Sequence, residues 1–378
     1  MRVLHLHKMT GIGGSENHLR ILLPALARAG IETRLGILVE PSKTTFLEGY
    51  AASLESQGVE VEPIPIHRHV DPLLLVRLER VIASFHPDLV HTHLVHADLH
   101  GTLAARWAGL PVVSSRHNDD PFRQGLLLGL GLRAVDSLQT RIIAISRAVA
   151  EFTERYEGVP ASKLSVVRYG LPFGLTRPTR RAEVRASWEA GDDHCLLVTV
   201  GRLVEQKGQQ FLLQALARLG PLAPDGRRWK LAIVGDGPLR ADLTRLAEEL
   251  GVGRQVIFSG FRSDVRDVMA AADLYVHPSL WEGFGLVLLE AMAAGRAVVA
   301  SRVSAIPEVV VDGVTGLLVE PREPALLAES IAGLLANPGQ LSRMGYAGME
   351  RLRNAFSVER MLDETLAVYS RAVDRCGS

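Results

Sequence analysis

Three short stretches of this chain carry residue types suited to a phosphorylated, hydroxyl-rich ligand. Gly201-Arg202-Leu203-Val204-Glu205-Gln206-Lys207-Gly208 sets two cations, Arg202 and Lys207, in a turn bounded by glycine. Beside the positive end of a helix such a pair can neutralise a diphosphate leaving group as its charge develops. A solvated basic loop is the competing reading. Gly235-Asp236-Gly237-Pro238 reads as a turn in which Asp236 caps the following helix. In the third stretch Glu282 precedes Gly283, Phe284, Gly285 and Leu286, a run that suits no helix interior, and Glu290 follows inside a helix. Two carboxylates so placed can each accept hydrogen bonds from vicinal hydroxyls, while the backbone N–H groups at the helix start are free for a ligand. Glu290 lies in the apolar run 286–292, where an unpaired charge is costly. Trp281 and Phe284 suit stacking on a sugar or base, or plain core packing.

Near the N-terminus, Gly11-Ile12-Gly13-Gly14-Ser15-Glu16 follows a strand and opens a helix, where bare backbone can approach an anion. A dinucleotide fingerprint would need glycine where Glu16 stands. Eleven of the thirteen histidines fall in the first half of the chain. His91 and His93 alternate on a strand, and His96 and His100 share a helix face, but no cysteine or suitably spaced carboxylate accompanies them, so no metal is expected. His117 ends a strand level with the Gly13-Gly14 loop. Its imidazole either meets a substrate hydroxyl or serves only the structure.

The elements that must hold these residues alternate in the pattern of parallel βαβ units. Strands are expected at 3–7, 32–39, 59–64, 89–93, 112–117, 141–145 and 164–167, then at 196–201, 230–234, 256–259, 274–277 and 297–300. Helices are expected at 16–29, 73–85, 98–108, 146–156, 209–219, 239–250, 264–271 and 286–294. The implied fold is α/β, with two Rossmann-like, doubly wound parallel sheets. A hinge falls near 170–180, where prolines and charge replace periodicity. At 378 residues the length fits two domains. Lysine plus arginine equal aspartate plus glutamate at 42 each, which disfavours nucleic-acid binding. Cys195 and Cys376 form no framework, which suits a reducing cytoplasm, and no signal peptide or spanning run is evident. The segment 121–140 reads as a glycine-rich core helix in preference to a surface for a membrane or a lipid-linked acceptor.

In order and spacing these motifs resemble the family 4 retaining glycosyltransferases of GT-B architecture, over nearly the whole chain. The resemblance implies domains at 1–172, completed by a returning helix at 357–378, and at 173–356, facing across a cleft. It implies a UDP- or GDP-sugar donor held by the second domain and a glycan or lipid-linked acceptor held by the first. The reaction would retain the anomeric configuration, need no metal or other cofactor, and occur in the cytoplasm or at the inner face of the membrane. Arg202 and Lys207 would hold the diphosphate, Glu290 the ribose, and Glu282 with the backbone of Gly283 to Leu286 the sugar. Gly13 and Gly14 would approach the distal phosphate, His117 would stand beside the reacting centre, and the base would rest near Arg262 and Val265. The chain departs from the family pattern at Ser304-Ala305, commonly Gly-Gly, and at Tyr169-Gly170, commonly Asn-Gly. A nucleotide-sugar 2-epimerase and a non-catalytic sugar-nucleotide binder are the other readings of the same residues.

Overall fold

The computed structural model describes residues 1–9, 11–41, 47–67, 71–118, 126–173, 180–220 and 222–374. Two compact units result: Met1–Gly170 with Val358–Ser378, and Leu171–Ser357. The first unit's strands are β1 (Arg2–Lys8), β2 (Glu32–Val39), β3 (Glu60–Pro65), β4 (Leu89–His93), β5 (Val112–Arg116), β6 (Arg141–Ala144) and β7 (Leu164–Val166). They form a wholly parallel sheet in the order β3-β2-β1-β4-β5-β6-β7. In the second unit β8 (His194–Val200), β9 (Arg228–Val234), β10 (Val256–Gly260), β11 (Leu274–His277), β12 (Ala297–Ser301) and β13 (Gly316–Val319) pair in the order β10-β9-β8-β11-β12-β13, again parallel.

Both faces of each sheet are covered, so the central strands are buried on both sides instead of alternating between core and solvent. On one face of the first sheet Val3, Leu89 and Val113 pack against the helices Gly14–Arg28 and Val358–Asp374. On the other, Leu4, Leu6 and Val90 meet the helices Pro72–Phe85 and Leu94–Trp107. The C-terminal helix is locked into the first unit by Met361, Val368 and Tyr369, all buried. No described helix is long and apolar enough to cross a membrane.

Several expectations need correction. β13 and the helices Leu47–Glu55, Pro324–Leu335 and Pro338–Ala355 were not among the expected elements. The helix expected from 98 starts at Leu94, because β4 turns directly into it with Leu94 at φ 68° and no loop residues between. His117 lies just beyond β5, whose pairing with β6 ends at Arg116 and Ala144. The expected helix 146–156 is Arg147–Phe152 followed by a wider turn at Thr153–Glu157. Within the segment 121–140 a helix runs Leu126–Leu138. Residues 119–125, and 174–179 of the expected hinge, lie outside the described residues.

Close packing gives a paired prediction. A Cβ at Gly345, within the Pro338–Ala355 helix, would run into the Gly295 carbonyl, whereas one at the exposed Gly333 of the Pro324–Leu335 helix would meet nothing within 4 Å. Gly345→Ala should destabilise by about 1–3 kcal/mol through overpacking. Gly333→Ala should stabilise by about 0.5–1 kcal/mol through chain entropy and helix propensity. Urea denaturation of both variants checks the opposite signs; two shifts of the same sign would refute the packing argument.

Candidate active site

In the second sheet the strand order reverses between β8 and β11, and the loops leaving the carboxyl ends of these neighbours diverge around a crevice, where open parallel sheets bind ligands. The loop after β8 carries Arg202 and Lys207; the loop after β11 carries Glu282. Gly208 joins the first loop to the Gln209–Leu219 helix at φ 61°, and any Cβ there would strike the Pro278 carbonyl. This close approach lets the Leu280 N–H donate to the Gln206 carbonyl at 2.7 Å and the Gln206 amide donate to the Trp281 carbonyl at 3.0 Å.

The two loops meet in an ion pair, Lys207 Nζ to Glu282 Oε2 at 2.5 Å. Glu282 is buried, and the same oxygen is 3.2 Å from His277 Nε2 and 3.3 Å from Ser279 Oγ. The Tyr275 hydroxyl is 3.0 Å from His277 Nδ1, which orders the donors: Tyr275 O–H to Nδ1, then Nε2–H to the carboxylate. Burial holds the His277 pKa below its ordinary value despite Glu282, so the imidazole is neutral. Burial alone would raise the Glu282 pKa, but Lys207 and the His277 hydrogen bond outweigh it and hold the group down at about 2. His277 is a site residue absent from the sequence expectations. Its position at the end of β11, five residues before Glu282, is the signal that could have found it.

Glu290 lies on the Leu286–Ala293 helix, half-buried, with no hydrogen-bond or ion-pair partner among the described residues. Burial raises its pKa to about 7, against a smaller opposing pull from Arg266. The Arg202 side chain is exposed at the head of its loop. Gly285 starts the helix at φ 83°, and Gly283 and Leu286 flank it, buried. Phe284 is core, edge-on to Phe356, so it is not a stacking platform. Asp236 does not cap the helix Arg240–Glu249; its carboxylate accepts from the next residue, the Gly237 N–H, at 2.8 Å, because the helix starts too far downstream. Arg262 is committed to Asp264, at 2.8 and 2.5 Å, and lies over the Trp188 ring; Val265 begins the next helix.

In the first unit, Gly13 and Gly14 open the Gly14–Arg28 helix after β1, beside the strand-order reversal between β1 and β4. The Gly13 N–H donates to the Glu16 carboxylate at 2.9 Å, and a Cβ at Gly14 would meet nothing within 4 Å. The His117 ring is buried, with Nδ1 2.5 Å from the Tyr169 hydroxyl and Nε2 3.0 Å from His93. His100 bonds the His96 carbonyl within its own helix. His5, His91 and His93 form a trio whose ligand atoms lie within 4.8 Å of one another. All their ring nitrogens are already engaged in hydrogen bonds, so the arrangement is a bonded row of imidazoles.

Comparison with known proteins agrees with this arrangement. Glycosyltransferase Family 4 matches residues 12–172, and Glycosyl transferases group 1 matches residues 180–351. The chain is 33% identical over 305 residues to D-inositol 3-phosphate glycosyltransferase 1 of Catenulispora acidiphila, covering 76% of this chain and 73% of that one. It is 32% identical over 310 residues to alpha-maltose-1-phosphate synthase of Mycobacterium tuberculosis, covering 75% and 79%. The crystal structure of Anabaena HepE in complex with UDP-glucose superposes with a TM-score of 0.83 at 25% identity, covering 98% of this chain and 99% of that one. The chain belongs to the family 4 glycosyltransferases, and its two parallel-sheet units are those of the GT-B fold.

The ion pair makes a prediction about acid stability. Because Glu282 titrates lower in the folded chain than the roughly 4.3 of a free glutamate, its ionised form adds stability that is full above that value and lost as pH falls toward 2. Lys207→Ala should destabilise by about 2–3 kcal/mol at pH 7, below the range for fully buried pairs because both partners keep some exposure. Urea denaturation across pH should show that deficit shrinking between pH 4.3 and 2. A deficit constant over that range would remove the electrostatic account.

Proposed function

We propose that this enzyme transfers a hexosyl group from a nucleotide-diphosphate-sugar to an acceptor hydroxyl, with retention of anomeric configuration and without a metal. The observation that carries this reading is Glu290, a half-buried carboxylate without a side-chain partner among the described residues, eight residues from the Lys207-paired Glu282 on the same loop-helix unit. A group so placed is satisfied by ligand hydroxyls. Glu290 receives the ribose hydroxyls, Arg202 and Lys207 the diphosphate, and Glu282 with the N–H groups around Phe284 and Leu286 the sugar. Lys207 has N–H bonds to spare beyond Glu282. A UDP-sugar is the favoured donor, supported by the likeness to HepE in complex with UDP-glucose; a GDP-sugar is the alternative. The base lies near Arg262 and Val265.

The first unit holds the acceptor, with Gly13 and Gly14 toward the distal phosphate and His117 beside the reacting sugar. A glycan or lipid-linked acceptor, as in cell-surface polysaccharide or glycolipid synthesis at the inner face of the membrane, fits the family. The name of the relative D-inositol 3-phosphate glycosyltransferase 1 adds a small phosphorylated acceptor to that class. For the chemistry we favour front-face substitution. The bond from the anomeric carbon to the diphosphate oxygen breaks, the acceptor oxygen bonds the same face, and the acceptor proton passes to the departing phosphate oxygen. Positive charge from Arg202 and Lys207 stabilises that leaving group. The alternative double displacement needs a carboxylate nucleophile; its candidates, Asp119 and Asp120, lie outside the described residues.

Glu290→Ala should weaken UDP binding by about 1.5–3 kcal/mol, the scale for hydrogen bonds to a charged group. Because Glu290 releases its proton near pH 7 and the carboxylate is the better acceptor, affinity in the unaltered protein should rise from pH 6 to pH 8. Glu290→Gln should flatten that rise. Calorimetric titration showing the same pH dependence in both proteins would refute the ribose assignment.

Proton NMR of the product should show the donor's anomeric configuration preserved, and turnover should survive chelation. An inverted product would remove the retaining mechanism. Activity abolished by chelator and restored by magnesium or manganese would remove the metal-free one. His117→Ala should cut turnover by about 10²-fold with donor affinity nearly unchanged, the scale of a positioned polar catalyst.

A further inference from the structure

The first unit buries an unbroken line of polar side chains where its sheet would otherwise be apolar. His5 on β1 and His91 and His93 on β4 face the Val358–Asp374 helix, in parallel register with His5 opposite His91. The line runs from the His91 Nδ1 to the Tyr369 hydroxyl at 2.7 Å, and from there to His5 Nε2 at 3.4 Å. It continues from His5 Nδ1 to His93 Nε2 at 3.1 Å, and from His93 Nδ1 to His117 Nε2 at 3.0 Å. It reaches the Tyr169 hydroxyl, 2.5 Å from His117 Nδ1. At the far end, His91 Nε2 meets Ser115 Oγ at 2.8 Å.

We propose that His93, His5 and Tyr369 are positioning residues for His117, and that the row sets, as a unit, which ring nitrogen of His117 carries its proton. The claim rests on the reading that His117 stands beside the reacting sugar.

The reasoning is a proton count. Burial holds His5 at about pKa 3 and His91 and His93 well below their ordinary value, so these imidazoles are neutral. A neutral imidazole has one N–H and one acceptor nitrogen, and a hydroxyl has one proton to donate. Each link takes one proton, so from His93 through His5 and Tyr369 to His91 every group donates to one neighbour and accepts from the other, and His117 Nε2 carries a proton only where His93 Nδ1 accepts. Two arrangements keep one sense throughout the row. In one, Tyr169 donates to His117 Nδ1, His117 Nε2–H donates to His93, and the direction persists through His5, Tyr369 and His91 to Ser115. In the other every link is reversed and His117 carries its proton on Nδ1. A mixed arrangement puts two lone pairs or two protons in one buried link, or leaves a hydroxyl proton unmatched; each is expensive away from water. The tautomer of His117 is therefore tied to Tyr369, on a helix at the other end of the chain. Tyr169, where the family pattern commonly has asparagine, supplies the phenol that closes the row.

The test uses full-length protein with 15N-labelled histidine and long-range proton–nitrogen NMR, which distinguishes Nδ1–H from Nε2–H. In the unaltered protein His5, His93 and His117 should each show one tautomer, all of the same sense. Tyr369→Phe removes the hydroxyl joining His91 to His5. It should shift the His117 ring nitrogens toward a tautomer mixture, and lower kcat by about 10–100-fold with the donor KM unchanged, the scale on which an orienting partner acts. His93→Gln, which keeps a donor and an acceptor, should retain more kcat than His93→Leu, which keeps neither, and this pair serves should Tyr369→Phe fail to fold. Unaltered His117 nitrogens in a folded Tyr369→Phe protein, or equal kcat in the two His93 variants, would overturn the proposal. Full turnover in His117→Ala would instead overturn the placement of His117 at the reacting centre, and the NMR result would still decide whether the row acts as a unit.

Discussion

The ion pair between Lys207 and Glu282 is the contact on which the second unit's site depends. It joins loops that leave neighbouring strands at the point of strand-order reversal, and it holds a buried carboxylate ionised where burial alone would protonate it. The supporting contacts all serve that approach: Gly208 lies against the Pro278 carbonyl, Gln206 reaches the Trp281 carbonyl, and His277 with Ser279 meets the same Glu282 oxygen as Lys207. A buried charge pair contributes little net stability unless its hydrogen bonds are complete. Here three donors converge on one oxygen of Glu282, while Glu290, on the next helix, has no side-chain partner among the described residues.

The first unit treats its polar groups in a comparable way, on both faces of one strand. Alternation along β5 sends Ser114 and Arg116 to one side of the sheet, and Ser115 to the other. Arg116 is fully buried against three carboxylates, with Asp98 at 2.7 Å, Glu157 at 3.0 Å and Asp136 closer still. Burial pushes Asp136 up to about 6, more than Arg116 pulls it down. One guanidinium cannot neutralise three carboxylates, and Asp136 takes up a proton as pH falls toward 6. On the opposite face neutral imidazoles replace charge altogether. The carboxyl end of this sheet is polar inside, and hydrogen bonding makes that tolerable.

Two departures from the family pattern prove informative. Ser304 stands where glycine is common and adopts φ 42°, so the backbone keeps a turn that a side chain disfavours. The next residue, Ala305, donates its N–H to the Glu282 carbonyl at 3.4 Å, which ties that turn to the loop after β11. Tyr169 stands where asparagine is common, and its ring stacks on His18 at 4.2 Å while its hydroxyl meets His117.

From the sequence alone came the alternation of strands and helices, the break between two sheets, the three glycine-bearing turns, and the anomaly of Glu290 in an apolar helix. These are local properties: period, turn chemistry and the cost of an unpaired charge can all be read within a dozen residues. Only the tertiary structure decided that Lys207 and Glu282, 75 positions apart, share a bond, and that His277 completes their site. It likewise assembled the row of His5, His93 and His117 with Tyr369, drawn from three strand ends and the last helix. The physical reason is that parallel strands pair across long connections, so the neighbours of a strand end are set by sheet order, which no local period encodes.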